Sequence, residues 1–350
     1  MSYRIQRRPS APASTAIMAR IGAAASALVI AGSILRWSGA DPLALGRHVL
    51  AQSFGSRFGL EDLGLMVSPL LLTGLAVAVM QRIALWNIGV EGQFYGGAFG
   101  ATAASLYLSG PAWAMLGAMA VAGCLGGMIW ILVPTLARAY ADVSELITTL
   151  LLNFVAILLV YYVSTGPWLD RATHQLASTP RIAARVPSIW GTVHWGLPIA
   201  MALAVMLAVL FGYTPWGYEV RISGANPEAA PYAGIPMRRR IIAVMLLSGG
   251  IAGFAGALEL AGTVHRLQGG ISNNYGYLGI MVAVLARNSF LGIILSATFM
   301  AVILNSGIVL QTQGLNANAV LAVTGLILIL TAIGDEAAHY TFIAFDQRAA

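Results

Sequence analysis

The chain has 350 residues, of which 58% are hydrophobic and only 9% charged, with nineteen basic and thirteen acidic side chains giving a net charge of +6. A soluble domain carries about 25% charged residues, so this composition excludes a soluble protein of two or three domains. All nineteen bases are Arg, which excludes a P-loop with its phosphate-gripping Lys, a Schiff-base lysine and a Ser-Lys dyad. The single cysteine, Cys124, excludes an internal disulfide and a multi-cysteine metal site. No zincin pair of histidines and no G-x-S-x-G elbow occurs. No catalytic set, metal site or cofactor is therefore expected, and the positive charge reads as arginine-rich cytoplasmic loops, with no nucleic-acid partner.

The charges are bunched, leaving charge-free tracts at Leu63–Gln81, Gly92–Ala137, Leu146–Leu169, Val186–Tyr218 and Asn288–Gly334. A bilayer core of about 30 Å takes about 20 apolar residues per helix, so the reading is an all-α polytopic membrane protein embedded in the lipid bilayer. A cytoplasmic basic tail over residues 1–20 precedes a single transmembrane domain over residues 21–335, and a short cytoplasmic tail over residues 336–350 closes the chain. The first apolar run, Ile21–Leu35, is read as an uncleaved helix in preference to a signal peptide ending at Ser38-Gly39-Ala40. Further helices are expected near Leu63–Arg82, Gln93–Leu108, Trp113–Val133, Leu146–Val163, Trp195–Phe211, Ile241–Ala261, Tyr277–Ala286, Phe290–Ser306 and Val320–Ile333, about ten crossings in all. The segment at residues 164–194 falls outside on this count, although Arg171, Arg181 and Arg185 run against the positive-inside tendency. The segment at residues 213–240, with Arg221, Arg238, Arg239 and Arg240, falls inside.

Two polar, glycine-containing stretches interrupt the helices. Asn87-Ile88-Gly89-Val90-Glu91-Gly92-Gln93 comes after the second helix, and Gly269-Gly270-Ile271-Ser272-Asn273-Asn274-Tyr275-Gly276 after the seventh. The matching positions suggest two inverted repeats with broken helices, and backbone freed by such breaks must be buried in protein or line a cavity. Asn87, Glu91, Gln93, Asn153, Asn273, Asn274 and Tyr275 are the candidates for a substrate pathway. Two readings of Glu91 are open: a pathway acid, or a carboxylate satisfying the freed amides of its own turn. Asn153 is open between cavity lining and an interhelical bond. Glu259 is open between the pathway and simple solvation near the outer surface. Gly92, Gly96 and Gly100, and Gly249, Gly253 and Ala257, are spaced for close helix packing.

On the inner side, Asn226 is a good N-cap, Pro227 suits a first helical position, Glu228 complements the helix dipole and Gly234 fits a C-terminal cap. A short capped helix over Asn226–Gly234, bracketed by arginines, reads as a docking element for a soluble partner.

At this point the residues resemble a known family. Gly224-x-Asn226-Pro227-x-Ala229-Ala230-x-x-x-Gly234-Ile235 is similar to the coupling-loop signature of ABC importer permeases of the ribose, branched-chain amino acid and nucleoside group. Leu85-Trp86-Asn87-Ile88-Gly89-Val90-Glu91-Gly92-Gln93, Glu145-Leu146-Ile147-Thr148-Thr149-Leu150-Leu151-Leu152-Asn153-Phe154 and Pro69-Leu70-Leu71-Leu72-Thr73-Gly74-Leu75-Ala76 resemble boxes of its nucleoside/simple-sugar branch. Trp86 departs from the usual Phe, and Ala286 in Leu285-Ala286-Arg287-Asn288 departs from the common Gly. The resemblance implies a permease subunit of the bacterial inner membrane. It would pair with a second permease chain, the same or homologous, with two cytoplasmic ATP-binding subunits and with a periplasmic substrate-binding protein. Arg221, Gly224, Asn226, Pro227, Glu228, Ala229, Ala230 and Gly234 would contact the ATPase, and ATP would be hydrolysed on that separate chain. Neutral pathway candidates and the Asn87–Gln93 box imply a nucleoside, purine-like or simple-sugar solute. The rival reading, an ion-coupled secondary transporter of a small neutral solute, needs a titratable pair in the membrane centre, and the sequence offers no convincing one.

Overall fold

The computed structural model describes residues 2–7, 13–37, 39, 41–172, 177–287, 289–337 and 340–345. Parts of the two expected tails, Ser38 and Ala40 of the alternative cleavage site, and Asn288 lie outside the described residues. Twelve α-helices occur among the described residues. Ten of them coincide with the segments expected from hydropathy. The other two, Pro42–Phe54 (α2) and Pro215–Ala225 (α8), are too short and too polar for a hydropathy window, and local signals define them instead. Pro42 sits in the first turn of α2, and Asp41 caps it by accepting from Leu43 N at 3.0 Å. Pro215 opens α8, and the Thr214 hydroxyl accepts from Gly217 N at 3.1 Å.

Among the described residues, six helices are long and apolar enough to cross a membrane: Arg57–Gln81 (α3), Ala112–Ala141 (α5), Glu145–Thr165 (α6), Gly196–Tyr213 (α7), Met237–Glu259 (α9), continued by a π-helical turn over Leu260–Val264, and Phe290–Thr312 (α11). The protein is thus a multi-pass membrane protein, and these six helices do not confirm the ten crossings expected. The expected crossing at 277–286 is the helix Tyr275–Leu285 (α10) of 11 residues. At 1.5 Å per residue it spans only ~16 Å, half of the bilayer core.

The described residues form two units, Met1–Gly59 with Val302–Ala350, and Leu60–Ala301. In the first, the helix Ala13–Trp37 (α1) packs along Ala317–Ala337 (α12). Strand Ser2–Arg7 (β1) pairs antiparallel with Tyr340–Phe345 (β4), Ser2 opposite Phe345 and Arg7 opposite Tyr340. In the second, a short hairpin of Ser188–Trp190 (β2) and Val193–His194 (β3) leads into α7.

The second unit is built around three helices, Val90–Tyr107 (α4), α5 and α9, which pack against one another more closely than any other elements. Glycine is the reason. Between apolar helices in lipid there is little hydrophobic drive, so contact depends on letting backbones approach. A methyl group on Gly127 would lie 2.7 Å from Gly253 Cα and 2.8 Å from Gly253 N, and one on Gly126 would lie 3.0 Å from the Gly96 carbonyl carbon. The runs Gly92/Gly96/Gly100 and Gly249/Gly253/Ala257, singled out by spacing, therefore lie at the seams of one three-helix core, and α6 and α10 pack onto α4.

Gly127→Ala is expected to lower the thermal midpoint of the purified protein in detergent, since overpacking costs ~1–3 kcal/mol. Gly117→Ala, whose added methyl meets nothing within 4 Å, is expected to leave the midpoint unchanged or raise it. Equal behaviour of the two variants would rule out the glycine seam as the packing determinant.

Candidate functional site at two helix breaks

The first break starts where α3 ends at Gln81. Ala84 takes a left-handed φ of 59°, and Leu85 N folds back to Met80 O at 3.2 Å. The amide of Asn87 then builds the start of α4. Its Oδ1 accepts from Gly89 N at 3.0 Å and from Gln93 Nε2 at 2.9 Å, and its Nδ2 donates to Gln93 Oε1 and Ser248 Oγ, both at 2.8 Å. Ser248 passes the connection on by donating to Ala76 O at 2.6 Å, so α3, α4 and α9 are tied at one point.

From α6, Asn153 Oδ1 accepts from Gly92 N at 2.8 Å, and its Nδ2 donates to Ile88 O at 2.8 Å and approaches the Tyr277 hydroxyl at 3.3 Å. Gly92 has no room for a side chain, because a Cβ there would meet Asn153 Oδ1 and Trp130 Nε1 at 2.9 Å. Glu145, at the start of α6, is also buried; its Oε1 accepts from Trp86 N at 3.3 Å and its Oε2 lies 3.4 Å from Arg138 Nε.

The second break runs from the π-helical turn to α10. His265, Asn273 and Asn274 take positive φ angles of 62°, 45° and 64°, and Asn274 gives α10 no side-chain cap. The cap comes from the other break. Glu91, in the first turn of α4, accepts from the Ser272 hydroxyl and, at 2.9 Å, from Gly276 N. A carboxylate at a helix N-terminus meets both the orphan amides and the positive end of the dipole. The sequence left Glu91 open between the pathway and the amides of its own turn; the amides it holds belong to the opposite break.

Asn87, Glu91, Gln93 and Asn153 are each no more than 1% exposed. Tyr275 is also buried, whereas Asn273 and Asn274 are exposed. The structure thus joins Asn87 to Gln93, sets Asn153 on the first turn of α4 and seats Glu91 on Ser272 and Gly276, which flank the other three candidates; five of the seven are buried in protein, Asn273 and Asn274 lie on its surface, and Tyr275 stands near Glu259. Glu259 is buried rather than solvated. It accepts from Thr263 Oγ1 at 3.3 Å, and Thr263 lies 3.4 Å from His194 Nε2.

The segment after α6 covers the second break. Thr179 N donates to Leu267 O at 3.0 Å, Ile182 N to His265 O at 3.0 Å and Val186 N to Ala261 O at 2.9 Å, so the carbonyls released by the break find amides in this segment. Arg181 and Arg185 stand near His265, and Arg266 Nη1 donates to Ser178 Oγ at 3.3 Å.

On the opposite flank, α8 carries Arg221, and Asn226 ends it rather than starting a helix. Asn226 Oδ1 does accept from Ala229 N at 3.0 Å, but the chain then makes a 3-10 turn over Ala230–Ala233, closed by Gly234 at φ 75°. The expected helix of about two turns is therefore a turn over residues 227–229, where Ala230 N donates to Asn226 O at 3.2 Å, followed by this 3-10 turn, which takes Pro231 at its start, where its missing donor costs nothing. Pro227, Glu228 and Ala229 are exposed, whereas Ala230 is fully buried. A Cβ on Gly224 would lie 2.9 Å from Ile83 Cα, so this segment rests on the first break itself.

The family described as "Branched-chain amino acid transport system / permease component" matches residues 59–332. The glucose ABC transporter permease protein TsgB13 of Haloferax volcanii is 33% identical over 338 residues, 92% of this chain and 89% of its own length. The guanosine ABC transporter permease protein NupP of Bacillus subtilis is 31% identical over 250 residues, 70% of this chain and 72% of its own. The nucleoside ABC transporter permease protein NupB of Lactococcus lactis is 27% identical over 311 residues, 84% and 85%. The chain belongs to this family. It is a permease component of an ABC importer, and the resemblance to the nucleoside/simple-sugar branch holds.

Sequence reasoning missed Ser248, Ser272, Tyr277 and His194 in this permease. Ser272 lay inside a stretch already singled out, and Ser248 opens the Ser-Gly-Gly run of α9; nothing in the letters around Tyr277 or His194 marks them. The Ala286 departure is harmless to the turn, since Ala286 is right-handed at φ −76° and the left-handed strain falls on Arg287 at φ 49°.

Asn153→Leu strands Gly92 N–H and Ile88 C=O, at about 1–3 kcal/mol for each buried orphan. It is expected to lower the thermal midpoint strongly, while Phe154→Leu, on the exposed face of the same helix, changes it little. Matching midpoints for the two variants would exclude the pairing role. Burial and the neighbouring His265 push the His194 imidazole below its ordinary 6.5, and burial with Arg185 does the same to His265. Both are neutral, folded or unfolded, well above pH 6.5. Below it the unfolded chain takes up protons that the folded chain resists, so stability falls as pH drops through 6.5 toward the lowered folded value. Unfolding midpoints between pH 8 and pH 5 are expected to show this decline, and His194→Gln to flatten it in part; an unaltered slope in that variant would exclude His194.

Proposed function

We propose that this permease carries a neutral, hydrogen-bonding solute, a nucleoside, purine-like compound or simple sugar, across the bacterial inner membrane. Two permease chains form the path, separate cytoplasmic ATP-binding subunits drive it, and a periplasmic binding protein delivers the solute. The observation that carries the reading is the similarity, over most of the chain, to permeases named for glucose, guanosine and nucleosides. The geometry agrees with a neutral cargo: the one carboxylate in the first break, Glu91, is held by Ser272 and Gly276, so it is not free to bind an ion.

The proposed pathway residues divide by role. Asn87, Glu91, Gln93 and Asn153 set the shape of the breaks, and Asn273, Asn274 and the adjoining Tyr275 stand where a solute passes. Arg181, Arg185 and Arg266 form a basic rim suited to an acidic face of the binding protein, which accounts for arginines on the outer side. At the inner side Arg221, Gly224, Asn226, Pro227, Glu228, Ala229, Ala230 and Gly234 form the ATPase contact. A push there reaches the first break through the approach of Gly224 to Arg82 and Ile83, a few residues before Asn87.

Reconstituted permease with its ATPase and binding protein is expected to import guanosine or glucose only when ATP is supplied; uptake driven by an ion gradient in ATP-free vesicles would overturn the mechanism. Ala229→Glu, on the exposed face, is expected to abolish ATPase co-purification and transport at an unchanged thermal midpoint. Ala230→Glu, at the buried position, is expected to lower the midpoint as well. Wild-type ATPase binding in Ala229→Glu would exclude this segment as the docking site.

A further inference from the structure

Beside the coupling segment, α3, α7, α8 and the start of α11 enclose a recess of about 160 Å³. Two arginines from different elements share it, Arg82 just past α3 and Arg221 on α8, and no carboxylate is among its lining residues. Arg82 lies over the Phe290 ring at 4.5 Å, and Arg221 Nη1 donates to Gly212 O at 3.4 Å. Neither of these two contacts is to a carboxylate. Burial first, and then the facing Arg221, push the Arg82 guanidinium below its ordinary value. Ser289, exposed at the mouth, stands at the N-terminus of α11, whose dipole adds further positive potential.

The remaining wall is apolar. Ala208 and Phe211 come from α7, and Phe290 and Leu291 from α11, two helices long and apolar enough to span a membrane. Leu291 is exposed on the outside of the unit. A recess that is cationic at its base and greasy at its side matches a molecule with the same division. Guanidinium groups are suited to phosphate oxygens, which they grip with paired donors.

We propose that this recess binds the phosphate of an anionic lipid, with the headgroup between Arg82 and Arg221 and an acyl chain along Phe211, Phe290 and Leu291. The site joins three elements that the coupling movement must shift: the end of α3 that leads into the first break, the helix that precedes the ATPase contact, and the start of α11. A bound lipid bridges them, so the lipid composition on the coupling side of the membrane sets how tightly the ATPase contact is linked to the first break.

The test uses the full chain purified in detergent, with phosphatidylglycerol, phosphatidylcholine or inorganic phosphate added, read by native mass spectrometry and by the thermal midpoint. Wild type is expected to retain phosphatidylglycerol over phosphatidylcholine and to gain stability from it. Arg221→Gln and Arg82→Gln are each expected to weaken that retention about fivefold, the scale of one arginine at an anionic surface. Arg239→Gln, exposed and outside the recess, is expected to behave as wild type. Arg221 lies on the surface, so its variant decides the matter if Arg82→Gln does not fold. Wild-type phosphatidylglycerol retention in Arg221→Gln would overturn the site, and a midpoint gain from inorganic phosphate equal to that from phosphatidylglycerol would overturn the lipid as its occupant.

Discussion

A helix that stops inside a membrane leaves amides and carbonyls with no water to meet them, each costing several kcal/mol if unpaired. The rest of this structure depends on how that cost is avoided twice. The first break supplies the cap that the second lacks, and α6 supplies the partner of the first. Glu91 at the start of α4 caps α10; Asn153 pairs both a donor and an acceptor of the first break and reaches Tyr277 in the second. Every position on the Asn87 amide is occupied, two donors and two acceptors. Such networks are stabilising only when complete, because a low dielectric strengthens each bond and equally penalises each gap.

The glycine seam is the condition for this pairing. Side chains as short as Asn and Ser reach across helices only if the backbones come close, and the approach of α5 to α4 and α9 at Gly126, Gly127 and Gly253 provides that. Ser248 then meets Asn87, and Trp130 on α5 reaches Leu152 O of α6 at 3.2 Å. The boxes that carry the family resemblance are separate in sequence but adjacent in space. Ala76 of the first accepts from Ser248, Asn87 to Gly92 form the second, Glu145 and Asn153 of the third bond into it, and Gly224 of the fourth lies against Ile83.

This explains what the sequence could and could not disclose. The breaks were legible because polar, glycine-containing runs between apolar helices have few other uses. The packing faces of α4 and α9 were legible because small residues recur at helical spacing. The partner of each polar group was not, since Glu91 and Gly276 are linked only through the fold. Helices α2 and α8 escaped because hydropathy reports burial in lipid, while these two are fixed by caps and a proline. The shortness of α10 was visible in its letters, but whether a short apolar run crosses depends on what surrounds its ends. The inner segment is 3-10 rather than α-helical over Ala230–Ala233, a distinction that capping residues alone do not disclose.

The same pairing bears on how a transporter of this kind selects. A side chain whose hydrogen bonds are complete within the protein has nothing to offer a solute except its shape. On the proposed function, Asn87 and Asn153 would act on the path by fixing where the two breaks stand, and recognition would fall to groups at the margin, such as exposed Asn273 and Asn274, held in left-handed conformations beside the capped α10. Their backbone strain is sustained by the bonds beneath them, since Ser272 both donates to Glu91 and accepts from Asn274 N at 3.0 Å. On the same proposal, a displacement of the first break started at Gly224 would move Glu91, and through Ser272 the exposed residues of the second break. In this arrangement the interaction that caps the second broken helix is also the direct bond between the two breaks, the one through which the proposed movement would pass.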